Sequence, residues 1–425
     1  MTPSPGPLRV EQVLRLLPDI DALTPLRRFL ISTSQATTAV DPYRTVGKRF
    51  VQPADLREFV PQAIAEAAEH LRALYDAAIE ALEAEQADDE PGVVRALLRA
   101  GRREEAVGRF TQAREWYNHA LGVAEGLRDR RPEIEVLRHM GQLDVELGQL
   151  EEGARRYQKS YYLADVELDL EGAAIACQSM GELAGERSQW QGAESWFKRG
   201  LKYSESNPLR SGYLHLGLGE VARARGQIEG AADQLKIAQQ NFDRSGHAEG
   251  TARTLNARGQ LEAEEGNSDK ALASWREALA ELHQAGDADR FEMTIRLNVC
   301  RRLMEWGRLA EAEDELRRAE ERAIVLNLHH QLARLYMLMG KLRGLQGDET
   351  GFVFFEKAVE LCQGATPYPR LEAEVYREYA RFRRELGDSE EAIGYLSRAR
   401  EILEISGDDQ LLAKVEKDLQ SMPVH

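Results

Sequence analysis

From residue 54 onward, every segment of the chain carries either a helical period of apolar residues or a turn signal. The stretch ARGQLEAEEGNSDKALASWREAL, residues 257–279, shows the pattern: a helix, a tight turn at Gly266, and a second helix. Its small residues stand at fixed places, Gly259, Ala271 and Ala278. A glycine inside a helix costs roughly 1 kcal/mol relative to alanine, so Gly259 needs a packing reason. The same register recurs along the chain. A small residue followed seven positions later by a turn residue occurs as Gly101/Gly108, Gly141/Gly148, Gly181/Ser188, Gly219/Gly226, Gly259/Gly266, Cys300/Gly307, Gly340/Gly347 and Ala380/Gly387. Successive turn positions lie 38 to 41 residues apart. Five residues past most turns comes a small residue (Ala113, Gly153, Ala193, Ala231, Ala271, Ala312, Ala392), and four later a large one (Tyr117, Tyr157, Phe197, Leu235, Trp275, Leu316, Leu396). A further small residue follows three positions on, as in Ala120, Ala238 and Ala399. In the seventh copy (Gly351, Phe355, Ala358) the turn is one residue shorter. These +4 and +3 steps put small, large and small on one face of the second helix. The spacing predicts antiparallel helix pairs in close approach, with the large residue filling the gap between successive pairs. At the turn of LGDSEEA (386–392), Asp388 and Glu391 form a capping-box pattern.

On these residues the chain resembles the tetratricopeptide repeat family over about residues 93–407. Its repeat is about 40 residues long where the family's usual unit is about 34, which is similar to an extended subclass. The fold expected is all-α: an α-solenoid superhelix of about eight helix-turn-helix repeats with a non-repeat N-terminal segment. The resemblance also implies a concave groove lined by the first helix of each repeat, three before, one after and four after its small residue. On this chain those places include Arg138, Gln142, Gln178, Glu182, Glu220, Asn256, Gln260, Arg301, Lys341, Arg377, Arg381 and Arg384. Amides and arginines there can bond an extended peptide backbone. The groove reads acidic in its middle and basic towards its C-terminal half, so the expected partner is a protein or peptide with acidic groups facing that half. The Lys/Asn carboxylate clamp of some family members is not reproduced.

The ends differ from the repeats. Residues 1–60 form an irregular segment, polar and Ser/Thr-rich over 31–53, expected as a strap or a docking segment. Residues 61–92 read as a long capping helix or degenerate repeat with an apolar stripe of Ile64, Ala67, Leu71, Leu74, Tyr75, Ala78 and Leu82. The tail 408–425 reads as a C-terminal capping helix.

Composition narrows the function classes. A net charge of −16 argues against nucleic acid as a partner. No apolar stretch approaches the ~20 residues of a membrane helix, and no signal-peptide pattern is legible at the N-terminus. A cytoplasmic protein is expected, without membrane insertion. Cys177, Cys300 and Cys362 have no paired spacing and read as free buried thiols. Catalytic motifs fail. TVGKRF lacks the glycine and hydroxyl residue of a phosphate loop, and GLGEVA (217–222) matches a dinucleotide fingerprint only formally, inside a helix. His329-His330 faces two ways on a helix. The sequence thus points to a non-enzymatic interaction protein without cofactor or metal: an adaptor or scaffold, or alternatively a peptide- or partner-responsive regulator.

Overall fold

The computed structural model describes Leu8–Arg9, Phe50–Val51 and residues 69–422, apart from 107, 286–288, 326–327, 365–367 and 407. The chain divides into two compact units, Met1–Leu143 and Asp144–His425. Unit 1 holds β1 (Leu8–Arg9), β2 (Phe50–Val51), α1 (Glu69–Gln86), α2 (Glu90–Ala106), α3 (Phe110–Ala124) and most of α4 (Arg131–Glu146). Unit 2 continues with α5 (Leu150–Val166), α6 (Leu170–Glu186), α7 (Trp190–Leu201), α8 (Pro208–Ala224), α9 (Ile228–Ser245) and α10 (Ala248–Glu264). After these come α11 (Ser268–Ala285), α12 (Asp289–Glu305), α13 (Leu309–Val325) and α14 (His329–Leu345). The unit closes with α15 (Gly351–Cys362), α16 (Pro369–Glu385), α17 (Ser389–Ser406) and α18 (Asp409–Gln420).

The all-helical repeat architecture is present, with one correction. β1 and β2 pair antiparallel, Leu8 opposite Val51, in a segment expected to lack any sheet. Two residues per strand are too few to leave an alternating pattern in the sequence. The rest of 1–60, with TVGKRF up to Arg49, lies outside the described residues, as do Ile64, Ala67 and the Leu71 and Tyr75 side chains. Leu74, Ala78 and Leu82 of α1 are buried.

The turns follow from backbone chemistry. In unit 2 the turn glycines 148, 226, 266, 307, 347 and 387 all have φ between 71° and 87°, a region that favours glycine. At the end of α10, Gly266 N–H donates to Ala263 O (3.1 Å) and Asn267 N–H to Glu262 O (2.8 Å), which satisfies carbonyls the helix leaves open. Ser188 takes the left-handed place in its repeat at φ 56°. The capping box at Asp388 is half made. Asp388 Oδ1 accepts the Glu391 N–H at 3.3 Å, but the Glu391 carboxylate turns to Arg383 Nε at 3.0 Å.

The helix glycines are seats for the large residues. A methyl group on Gly259 would lie 2.7 Å from Trp275 Nε1, inside van der Waals contact. The same overlap occurs between Gly181 and Phe197, Gly219 and Leu235, Gly340 and Phe355, and within unit 1 between Gly101 and Tyr117. Phe197 also covers Gly217 of the next repeat, so it fills the space between successive pairs as expected. This accounts for GLGEVA: Gly217 seats Phe197 and Gly219 seats Leu235 in mid-helix α8. Size is traded across the contact. Where the first helix carries Cys300 or Ala380, the facing residue is a leucine, Leu316 or Leu396, and all four are buried.

Within unit 2, first helices pack on the next first helix (α6 on α8, α8 on α10, α14 on α16), whereas among the described residues second helices have no comparable contact with one another. First helices therefore line the inner side of the curve. Burial is strongest between the layers, where Ala271, Trp275, Ala278, Leu303 and Leu316 belong to one core cluster.

Candidate functional site

The expected groove residues divide between the units. Arg138 and Gln142 belong to unit 1. There, Arg138 Nη2 lies 2.8 Å from the ring Nε2 of buried His139. Burial, with Arg138 and Arg102 beside it, holds that imidazole well below its usual pKa. Gln142 is exposed.

In unit 2 the inner face begins on α6. Gln178 Nε2 donates to Glu182 Oε1 at 2.8 Å, one turn apart. On α8, Glu220 is exposed and has no hydrogen bond or ion pair among the described residues. Its carboxyl is nevertheless raised, by desolvation against the surrounding helices and in spite of Arg223 and Arg253. Those arginines are committed elsewhere: Arg223 Nη1 to Glu264 Oε1 at 2.5 Å, and Arg253 to Glu249 at 2.8 Å with its guanidinium over the Phe291 ring. Glu220 is thus an exposed carboxylate on the inner surface with no ion pair among the described residues.

The next two first helices share an amide row. Asn298 Nδ2 of α12 donates to Asn256 Oδ1 of α10 at 3.2 Å. Asn256 is buried, and its carbonyl oxygen accepts the Trp275 indole N–H at 3.3 Å. It therefore ties the groove face to the packed layer beneath. Gln260 is half-buried beside it. A parallel ionic row links three helices, because Glu264 also meets Arg302 of α12 at 3.5 Å. Asn298 and Arg302, which the groove offsets passed over, belong to these rows. Neither was signalled, since both lie between the offsets used.

The basic half needs correction. Arg377 Nε lies 2.6 Å from Asp418 Oδ2 on α18, and Arg381 reaches the same carboxylate at 3.4 Å and Glu378 at 2.7 Å. Lys341 Nζ is 3.9 Å from Glu378 Oε2. What reads in sequence as a basic wall is largely paired, three cations against two carboxylates, and through Asp418 it fastens the terminal helix. Reversing Arg377 and Arg381 to glutamate would repel Asp418 and loosen α18. Arg301 has only a long contact to Asn298 Oδ1 (3.5 Å), and exposed Arg334 and Arg384 have no ion pair among the described residues.

One contact reaches across the unit. Arg370 Nη1 on α16 lies 3.7 Å from Glu186 Oε2 at the end of α6, five repeats away. The same guanidinium meets Asp408 at 3.2 Å, and Asp408 is buried where it caps α18 by accepting the Leu411 N–H. No composition or period could announce this pair, because the two residues lie far apart in sequence and meet only through the pitch of the solenoid.

Elsewhere the chemistry stays structural. Cys177, Cys300 and Cys362 are free and buried, and burial pushes each thiol up to about 12. His330 packs its ring against Tyr368 at 5.1 Å. Among the described residues, no group of three His, Cys, Asp or Glu could hold a metal ion, and no helix is long and apolar enough to cross a membrane.

No family model matches the chain, and no curated protein matches it. Solved structures do share its fold. A Rap protein complexed with competence and sporulation factor superposes with a TM-score of 0.54 at 13% identity, over 96% of this chain and 99% of that one. The Rap conjugation gene regulator of plasmid pLS20, in complex with the Phr* peptide, gives a TM-score of 0.50 at 14% identity over 83% and 94%. At these identities the likeness is one of fold: an all-α helical-repeat protein.

Proposed function

We propose that this chain is a non-enzymatic regulator of the extended tetratricopeptide-repeat type that holds an extended peptide segment along the inner faces of α6, α8, α10, α12, α14 and α16. The observation that carries the reading is the inner surface of unit 2. Polar side chains run along it in rows, anchored from behind, and they leave one carboxylate (Glu220) and three cations (Arg301, Arg334, Arg384) without ion-pair partners among the described residues. Such a surface matches an extended chain, whose backbone amides bond the Asn256–Asn298 row and whose charged side chains meet those groups. A basic peptide group near Glu220 and an acidic one towards α12–α16 are the complementary chemistry. Two proteins of like fold were solved with competence and sporulation factor and with the Phr* peptide, which raises the standing of a peptide ligand. The contact between α6 and α16 favours a regulator over a passive adaptor, because it couples the inner surface to the pitch of the solenoid. Three free thiols fit work in a reducing compartment.

The test is selection from a displayed library of random hexapeptides on the full chain, followed by calorimetry of the recovered peptides. Glu220→Lys is expected to weaken binding at least tenfold and to select against basic residues. Equal affinity for wild type and Glu220→Lys would place any binding off this face.

A further inference from the structure

We propose that Glu186 and Arg370 form a latch that closes one turn of the unit 2 solenoid across its interior, and that it must open to admit the peptide. The gating half rests on the peptide reading above; the closure does not.

The ion pairs described so far join a repeat to itself or to its neighbour. Glu186–Arg370 joins repeats five apart. Among the described residues, helices α6 and α16 are not one of the packed helix pairs, so the contact does not merely decorate a helix interface. Its two ends are built differently. Arg370 is held by Asp408 at 3.2 Å, with Glu374 at 3.9 Å, so it keeps a carboxylate partner and the α18 cap survives when Glu186 lets go. Glu186 is in the opposite position. Desolvation raises its carboxyl, the Arg370 charge lowers it, and Glu182 and Glu146 add like-charge repulsion. The like charges of Glu182 and Glu146 act against it, so a cationic group entering beside Glu182 and Glu186 competes directly for the latch.

The strength suits a gate. Both side chains are partly exposed, at 30% and 45%, and the separation is 3.7 Å. Pairs of this kind shift an equilibrium by about two- to fivefold, enough to bias the turn towards closed and little enough for a ligand to reverse.

The experiment places nitroxide labels at Gln189→Cys and Lys414→Cys, both exposed, in the full chain; the three native thiols are buried and stay unlabelled. Electron–electron distance measurement is expected to give one narrow distribution in the wild-type background. In Glu186→Lys, where two cations face each other, it should be longer and broader, with Glu186→Gln between them. Arg370 is left in place so that the α18 cap is untouched, and a common melting temperature confirms that the variants fold. An unchanged distribution in Glu186→Lys overturns the latch. For the gate, the association rate of a hexapeptide recovered from the displayed library is expected to rise two- to fivefold in Glu186→Gln. An unchanged or slower rate, with distances shifted, overturns the gating while the closure stands. A library that yields no binder overturns the peptide reading and the gating with it, and the distance measurement still decides the closure alone.

Discussion

Gly259→Ala should destabilise the protein even though alanine is the better helix former. The added methyl would stand 2.7 Å from Trp275 Nε1, 2.9 Å from Cε2 and 3.0 Å from Cδ1. Trp275 cannot swing into solvent: it is 1% exposed, and its N–H is bonded to Asn256 O. Overpacking costs about 1–3 kcal/mol. Displacing the buried indole from its acceptor costs about 1–3 kcal/mol more. Against these stands a propensity gain of about 1 kcal/mol. The net loss is about 1–5 kcal/mol. Gly394→Ala is the control. Gly394 sits inside α17 with nothing within 4 Å of the new methyl, so the same change should stabilise by up to about 1 kcal/mol. Urea unfolding followed by helical circular dichroism gives the signs. Hydrogen exchange localises the loss, because a repeat array need not unfold in one step. Adding Trp275→Leu to Gly259→Ala should restore part of the stability, since the repeat with Ala380 already faces Leu396. Stabilisation of Gly259→Ala to the same extent as Gly394→Ala would refute the seat argument.

The thiols provide a second check: Ellman's reagent should find no reactive thiol in the folded chain near neutral pH and all three after denaturation, because each is protonated up to about 12. Asp418→Ala should leave Arg377 and Arg381 short of a partner, costing about 1–3 kcal/mol and speeding amide exchange over Asp409–Gln420 before the rest of unit 2. His139 is held neutral in the fold, so only the unfolded chain takes up its proton as pH falls through about 6.5. Unit 1 should therefore lose up to about 1.4 kcal/mol per pH unit below that point, and His139→Phe should flatten this slope in urea midpoints measured across the range.

The repeat was legible because one packing contact, made again and again at one spacing, leaves a one-dimensional trace. Gly266 and its equivalents mark a backbone conformation, and Gly259 with Trp275 marks a steric fit, so both survive as residue identities. The positions of Glu220, Asn256 and Gln260 on the first helices could be counted off the repeat register. The electrostatics of that face could not, because the charge of Arg377 or Arg381 depends on what the neighbouring helix sets against it. Asp418, on the C-terminal capping helix, carries no pattern that marks it as their partner. Glu186 and Arg370 were beyond sequence reading for a stronger reason: their meeting depends on the rotation accumulated over five repeats, which no local pattern encodes. The β1–β2 pairing was missed at the other extreme of scale.

Hydrogen–deuterium exchange of the full chain with and without a selected hexapeptide tests the central claim most directly. Slowed exchange is expected in α6, α8, α10 and α12 around Glu220, Asn256 and Gln260, with little change in α9, α11 and α13. Protection confined to those second helices, or to unit 1, would contradict it.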